Sequence, residues 1–119
     1  MTCVDGFVLP VPKRNLQAYL KLARKAGKTW REHGALEDRE CVGDDLDAKM
    51  FLPFPRLCTL KRGETVVFAW ATYKSRAHRD RVNAKLMNDP RMATTMEGLP
   101  LPFDMKRMAY GGFKVAVDV

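Results

Sequence analysis

The hydrophobic pattern is clearest at Thr65–Tyr73 (Thr-Val-Val-Phe-Ala-Trp-Ala-Thr-Tyr), a β-branched and aromatic run that favours a pleated strand. A period of two puts Val66, Phe68, Trp70 and Thr72 on one face. Thr65, Val67, Ala69, Ala71 and Tyr73 fall on the other. Neither face is charged, so the strand is expected mid-sheet with both faces covered. A chain of 119 residues supplies too few helices for both sides. Its own helices on one face and a partner subunit on the other is the expected arrangement.

The same alternation makes Cys3–Leu9 a strand, ended by Pro10 and Pro12, with Asp5 on the face of Cys3, Phe7 and Leu9. From Lys13 to His33 the period becomes helical. Leu16, Tyr19, Leu20, Ala23, Gly27 and Trp30 form one apolar stripe, Lys21, Arg24, Lys25, Lys28 and Arg31 line the far side, and Gly34 supplies the stop. Ala35–Gly43 carries charge on both faces, as an edge strand does. Asp44–Pro55 is a loop whose Met50, Phe51, Leu52 and Phe54 are too apolar for a solvated one; a partner subunit or a cavity beneath it is expected. Arg56–Leu60 and Thr65–Tyr73 read as the arms of a hairpin turning at Lys61-Arg62-Gly63-Glu64. Ser75 caps a second helix that ends at Asp89-Pro90. Arg91–Glu97 adds a helical turn and Gly98–Asp104 an ordered loop. Arg107–Val119 is the last strand, where Gly111-Gly112 signals a bulge or a close approach to the backbone.

The order β-α-β-β-α-β, with right-handed crossovers, predicts a single α+β domain over residues 1–119. It is ferredoxin-like, with an antiparallel sheet in the order 4-1-3-2 and the two least charged strands at its centre.

Composition narrows the function. With 46% apolar and 29% charged residues the chain is an ordinary globular one. The longest apolar run, Val66–Ala71, is far short of the ~20 residues a membrane span needs. No leader pattern opens the chain, and Cys3, Cys41 and Cys58 show no CxxC spacing; reduced thiols and a cytoplasmic location are expected. Asp44, Asp45 and Asp47 lack the glycine and closing glutamate of a calcium loop, so no metal is expected. Nucleotide loops and nucleophile elbows are missing by spacing, and no cofactor is expected. The net charge of +7 is uneven: Lys13, Arg14, Lys21, Arg24, Lys25, Lys28 and Arg31 precede the first acid, Glu32, of their segment. Such a stripe is either a solvated surface or a polyanion site.

Several stretches carry a resemblance: Val4-Asp5-Gly6-Phe7-Val8, Glu40-Cys41, Val66–Trp70, Asn88–Met92 and above all Pro102–Phe113. Through them the chain resembles the YbaA-like bacterial proteins from about Thr2 to Val117. The resemblance implies a dimeric α/β barrel, two ferredoxin-like subunits packed sheet to sheet, and no established reaction. The family commonly has glycine where this chain has Met105, and an aromatic residue where it has Val42.

The candidate chemistry lies at strand ends and loops: Asp5, Arg39, Glu40, Asp104, Lys106, Arg107 and Tyr110. In a 4-1-3-2 sheet the first and last strands are neighbours, which sets Asp5 near Lys106, Arg107 or Tyr110. Asp5 is either a functional acid or a carboxylate paired with an arginine, and His78 either a base or a half-buried structural ring. Three functions follow. The first, preferred, is a homodimer with a small-molecule pocket lined by Trp70, Tyr73, Asp104, Lys106, Arg107 and Tyr110. The second is a cofactor-independent, oxygenase- or isomerase-like enzyme with Asp5 or His78 as its base. The third is RNA or another polyanion held by the basic first helix, whose basic side has little aromatic interleaving for stacked bases.

Overall fold

The prolines of the first strand do not stop it. In the computed structural model, which describes residues 2–96 and 101–119, β1 spans Cys3–Pro12. It pairs antiparallel with β3 (Glu64–Tyr73) from Cys3 opposite Tyr73 to Pro12 opposite Glu64. On its other side β4 (Ala109–Lys114) pairs only as far as Val8. From Leu9 onward β1 therefore has an open edge, where prolines are tolerated. β2 (Glu37–Val42) completes the sheet beside β3, giving the antiparallel order β2-β3-β1-β4. This is the expected 4-1-3-2 arrangement, with charged β2 at an edge.

Helix α1 (Leu16–Glu32) follows a 3-10 turn at Lys13–Asn15 and ends where Gly34 takes φ 119°. That left-handed value favours glycine. Helix α3 (Arg76–Met87) opens on the Ser75 hydroxyl, which accepts the His78 N–H at 3.1 Å. The short α4 (Pro90–Met96) comes next. Glu97 and the Gly98–Pro100 part of the expected loop lie outside the described residues. The helices bury one sheet face in two clusters: Leu9, Val11, Tyr19 and Val67 near the start of α1, and Cys3, Ala35, Ala71, Tyr73, Val82 and Leu86 under α3. The leucine and valine side chains among them contribute roughly 1.5–3 kcal/mol each on burial.

Two further expectations are corrected. Arg56–Leu60 is not a strand: α2 (Phe54–Leu57) is a helical turn in which Arg56 and Leu57 donate to the Pro53 carbonyl at 3.0 and 3.2 Å. Pro55 suits that first turn, and Thr59, at φ 49°, ends it. The last strand ends at Lys114 rather than Val119. Val115 N–H still reaches the Thr2 carbonyl at 2.9 Å, but β1 begins at Cys3 and offers little beyond.

Among the described residues the opposite sheet face carries no helix apart from the short α2 turn at its rim. Val4, Gly6, Val8, Phe68, Trp70, Gly111 and Phe113 share it, with Phe68 43% and Phe113 64% exposed. Phe54 brings the apolar loop to its rim, stacking edge-on to Phe68 at 6.1 Å. The molecule is a slab of 42 × 38 × 20 Å. Its radius of gyration of 15.1 Å exceeds the about 13.5 Å of a compact chain of this length.

Candidate functional site

On β2, Asp38 and Glu40 alternate with Arg39 and so direct both carboxyls to the helix side. On α1, Tyr19, Ala23 and Gly27 repeat every four residues and turn the same helix face toward them. Gly27 sets how closely the two elements approach. A Cβ there would stand 2.8 Å from Asp38 Oδ1. The Tyr19 hydroxyl, on a buried ring, donates to Glu40 Oε2 at 2.8 Å.

Behind these groups is a cavity of about 260 Å³ between α1 and the sheet, walled by Phe7, Trp30, Met92, Phe103, Met105 and Met108 together with Tyr19, Asp38 and Glu40. The same apolar walls continue into a larger crevice of about 810 Å³ that reaches Asp5 and Tyr110. On the outer side Asp38 and Glu40 also line a groove of about 700 Å³ with Arg24, Lys28 and Arg31. The two carboxyls thus stand between an apolar interior and a charged surface groove.

Their electrostatics follow from that position. Burial pushes the Glu40 carboxyl up to about 7; the Tyr19 hydrogen bond opposes the rise and the Asp38 charge adds to it. Burial likewise raises Asp38, partly offset by Arg31. Burial and the neighbouring Glu40 charge hold the Tyr19 phenol well above its ordinary range, so it remains a donor.

The structure separates the residues expected from sequence. Asp5, 2% exposed, meets Arg79 of α3, whose Nε lies 3.1 and 3.2 Å from its two carboxylate oxygens. Arg79 Nη2 also donates to the Tyr110 hydroxyl at 3.2 Å. Gly112 makes room for this: a Cβ there would stand 2.7 Å from Arg79 Nη2 and 3.2 Å from Asp5 Oδ1. Asp5 and Tyr110 are therefore neighbours, as the strand order implied. Arg107 is engaged elsewhere, donating to Glu64 at 2.6 and 2.9 Å and to the Thr59 carbonyl at 3.1 Å. Asp104 accepts the Lys106 N–H at 2.9 Å and caps a 3-10 turn over Met105–Arg107, leaving the Lys106 side chain exposed. Trp70 lies on the bare sheet face, beside Phe68. Tyr73 is fully buried on the other face and accepts a hydrogen bond from Trp30 Nε1 at 3.0 Å. His78 Nδ1 accepts the Lys74 N–H at 3.0 Å, its ring is edge-on to Tyr73, and it lines none of the crevices described here.

Sequence reasoning singled out Glu40 among the polar residues but passed over Tyr19, Asp38 and the methionines. The available signal was Gly27, which costs about 1 kcal/mol within a helix and sits in the stripe that faces Asp38 and Glu40. Among the described residues no group of three or more His, Cys, Asp or Glu side chains is placed to hold a metal ion.

A β-α-β-β-α-β antiparallel sheet with its helices on one face defines a ferredoxin-like α+β protein, and solved structures share that shape. A dimeric ferredoxin-like protein from an uncultured marine organism aligns over 100% of both chains with a TM-score of 0.58 at 12% identity. A NIPSNAP family protein of Agrobacterium tumefaciens aligns over 94% of this chain and 83% of its own with a TM-score of 0.52 at 20% identity. At these identities the likeness concerns the fold alone. By sequence, the chain belongs to the family described as protein of unknown function (DUF1428), whose profile matches residues 2–105. It is 42% identical to the uncharacterized protein YbaA of Escherichia coli K12 over 118 residues, 99% of each chain, and equally similar to YbaA of Shigella flexneri.

Proposed function

We infer that this protein is a homodimer that binds a small molecule, with the ligand on one side of the sheet and the second copy on the other. The observation that carries the reading is the 260 Å³ cavity, where the Tyr19 hydroxyl and the Glu40 and Asp38 carboxyls converge within aromatic and methionine walls. A concave apolar site with a few convergent polar groups, one of them with a perturbed pKa, is the usual form of a ligand pocket. The dimer is supported by the bare apolar face, by the apolar loop at its rim and by the likeness to a structure described as dimeric.

The test is a thermal-shift screen of small aromatic compounds against the native chain and an Ala26→Leu variant that fills the cavity. Compounds that stabilise the native chain and not the variant support the reading. A screen in which every stabilising compound acts equally on both contradicts it.

One observation favours chemistry as a second reading. A carboxyl at about 7 is half ionised at neutral pH and suited to taking a proton from a bound carbon acid. Deuterium exchange into simple aryl ketones, followed by NMR and lost in Glu40→Gln, would bear this out; exchange no faster than in buffer would remove it.

A further inference from the structure

We propose that the cavity between α1 and β2 takes an organic cation, a primary amine on an aromatic or aliphatic body no larger than a ring and short tail. This deepens the small-molecule reading above and rests on it.

The walls decide the charge. Phe7, Tyr19, Trp30 and Phe103 contribute four aromatic rings, and among the described residues the only ionisable groups lining the cavity besides Tyr19 are Asp38 and Glu40. No lysine, arginine or histidine lines this cavity among the described residues. An anion would meet two carboxyls and the negative faces of the rings, without a compensating cation. A neutral molecule would leave an ionised Glu40 half-buried against apolar matter, which is costly. An ammonium group at Glu40 and Asp38 supplies the missing charge, and aromatic rings beside it add a cation–π attraction.

The surroundings of Glu40 leave that place open. Its hydrogen-bond partner is a neutral phenol, Tyr19 of α1, and the other acid beside it is Asp38 of its own strand. From α1, Arg24, Lys28 and Arg31 line the outer groove with the two carboxyls. Among the described residues none of them makes an ion pair with either. Arg31 donates to the Leu36 carbonyl, and its charge acts on Asp38 from there without a direct ion pair. The apolar half of the ligand has its counterpart in Met92, Met105 and Met108, whose unbranched side chains adapt to varied shapes.

Binding of a cation favours the ionised carboxyl and so expels the proton that Glu40 holds. The experiment uses three probes of one shape: 2-phenylethylamine, 2-phenylethanol and 3-phenylpropanoate. Each is titrated calorimetrically into the full chain at pH 7 in phosphate and in Tris, whose ionisation heats differ. The expected result is amine binding at least tenfold tighter than the alcohol, with release of about half a proton per site. Glu40→Gln should weaken amine binding at least tenfold and abolish the proton release, and Ala26→Leu, which keeps both carboxyls, should block it by filling space. Alcohol or propanoate binding as tightly as the amine, and lost in Ala26→Leu, would overturn the charge assignment while leaving the pocket in place. Failure of all three probes to bind up to millimolar concentration would overturn both, as would amine binding unchanged by Ala26→Leu.

Discussion

Glu40 is set apart by its surroundings: its hydrogen-bond partner is the Tyr19 phenol, and beside it on its own strand stands a second carboxyl, Asp38. A carboxyl whose folded pKa is raised from 4.5 to about 7 binds its proton more readily folded than unfolded. The stability it carries is therefore full below about pH 4.5 and is lost as pH rises through 7. Asp80, Glu64 and Asp89 are held low by their arginines (Asp89 also by His33), so they act with the opposite sign and at lower pH. Denaturant titrations at pH 5 and pH 8 should show Glu40→Gln gaining, relative to the native chain, on the order of 2 kcal/mol at the higher pH. Equal shifts at both pH values would contradict the placement of Glu40. Asp5 is the other decisive residue, and its pairing with an arginine was readable as an alternative from sequence alone. Which arginine was not readable, because Arg79 arrives from a helix whose rotation over the sheet depends on the whole core. Arg79→Met leaves a buried carboxylate without its cation and should destabilise the fold by about 3 kcal/mol, with Asp5→Asn/Arg79→Met recovering part of the loss. A double variant no better than the single one would argue that Arg79 acts through packing.

At the scale of elements, α1 does two things at once: its apolar stripe closes the core over Leu9, Val11 and Val67, and its Gly27 edge leaves the carboxyls of β2 accessible. The stripe was legible because a 3.6-residue period survives any tertiary context. The cavity was not, because it depends on segments distant in sequence, β2 and the Met105–Arg107 turn, meeting the same helix. Two of the three misread segments have local causes. Arg56–Leu60 has strand-like composition, but Pro53 and Pro55 preset a helical turn. The strand β1 outlasts its prolines because its neighbour β4 stops short. Met105 stands where the resembled family commonly has glycine, and its side chain lines both the cavity and the crevice beside it. Met105→Gly should therefore widen the pocket. A bulkier probe such as 2-naphthylethylamine should gain at least threefold in affinity over 2-phenylethylamine in that variant. An unchanged ratio would show that Met105 does not shape the bound state.

The molecule as a whole is thin because its sheet is half dressed. Two central strands charged only at Asp5 and Glu64 call for cover on both sides, and among the described residues the long helices α1 and α3 lie on one side only. A face of 42 × 38 Å offers ample room for the roughly 800 Å² per partner of a standard interface. Gly6 and Gly111 flatten its middle, where the Phe113 ring lies 3.6 Å from where their Cβ atoms would be. In the proposed dimer a Phe113→Asp substitution would set a charge at the contact while lying outside both core clusters, and it should leave the chain monomeric with its thermal stability retained. The strand order was readable because burial pattern and position in the sheet are linked: strands largely apolar on both faces belong at the centre. The direct measurement is the mass of the purified protein in solution by multi-angle light scattering at micromolar concentration. The account predicts a single species of twice the 13.5 kDa chain. A species of 13.5 kDa that persists as concentration rises would contradict it.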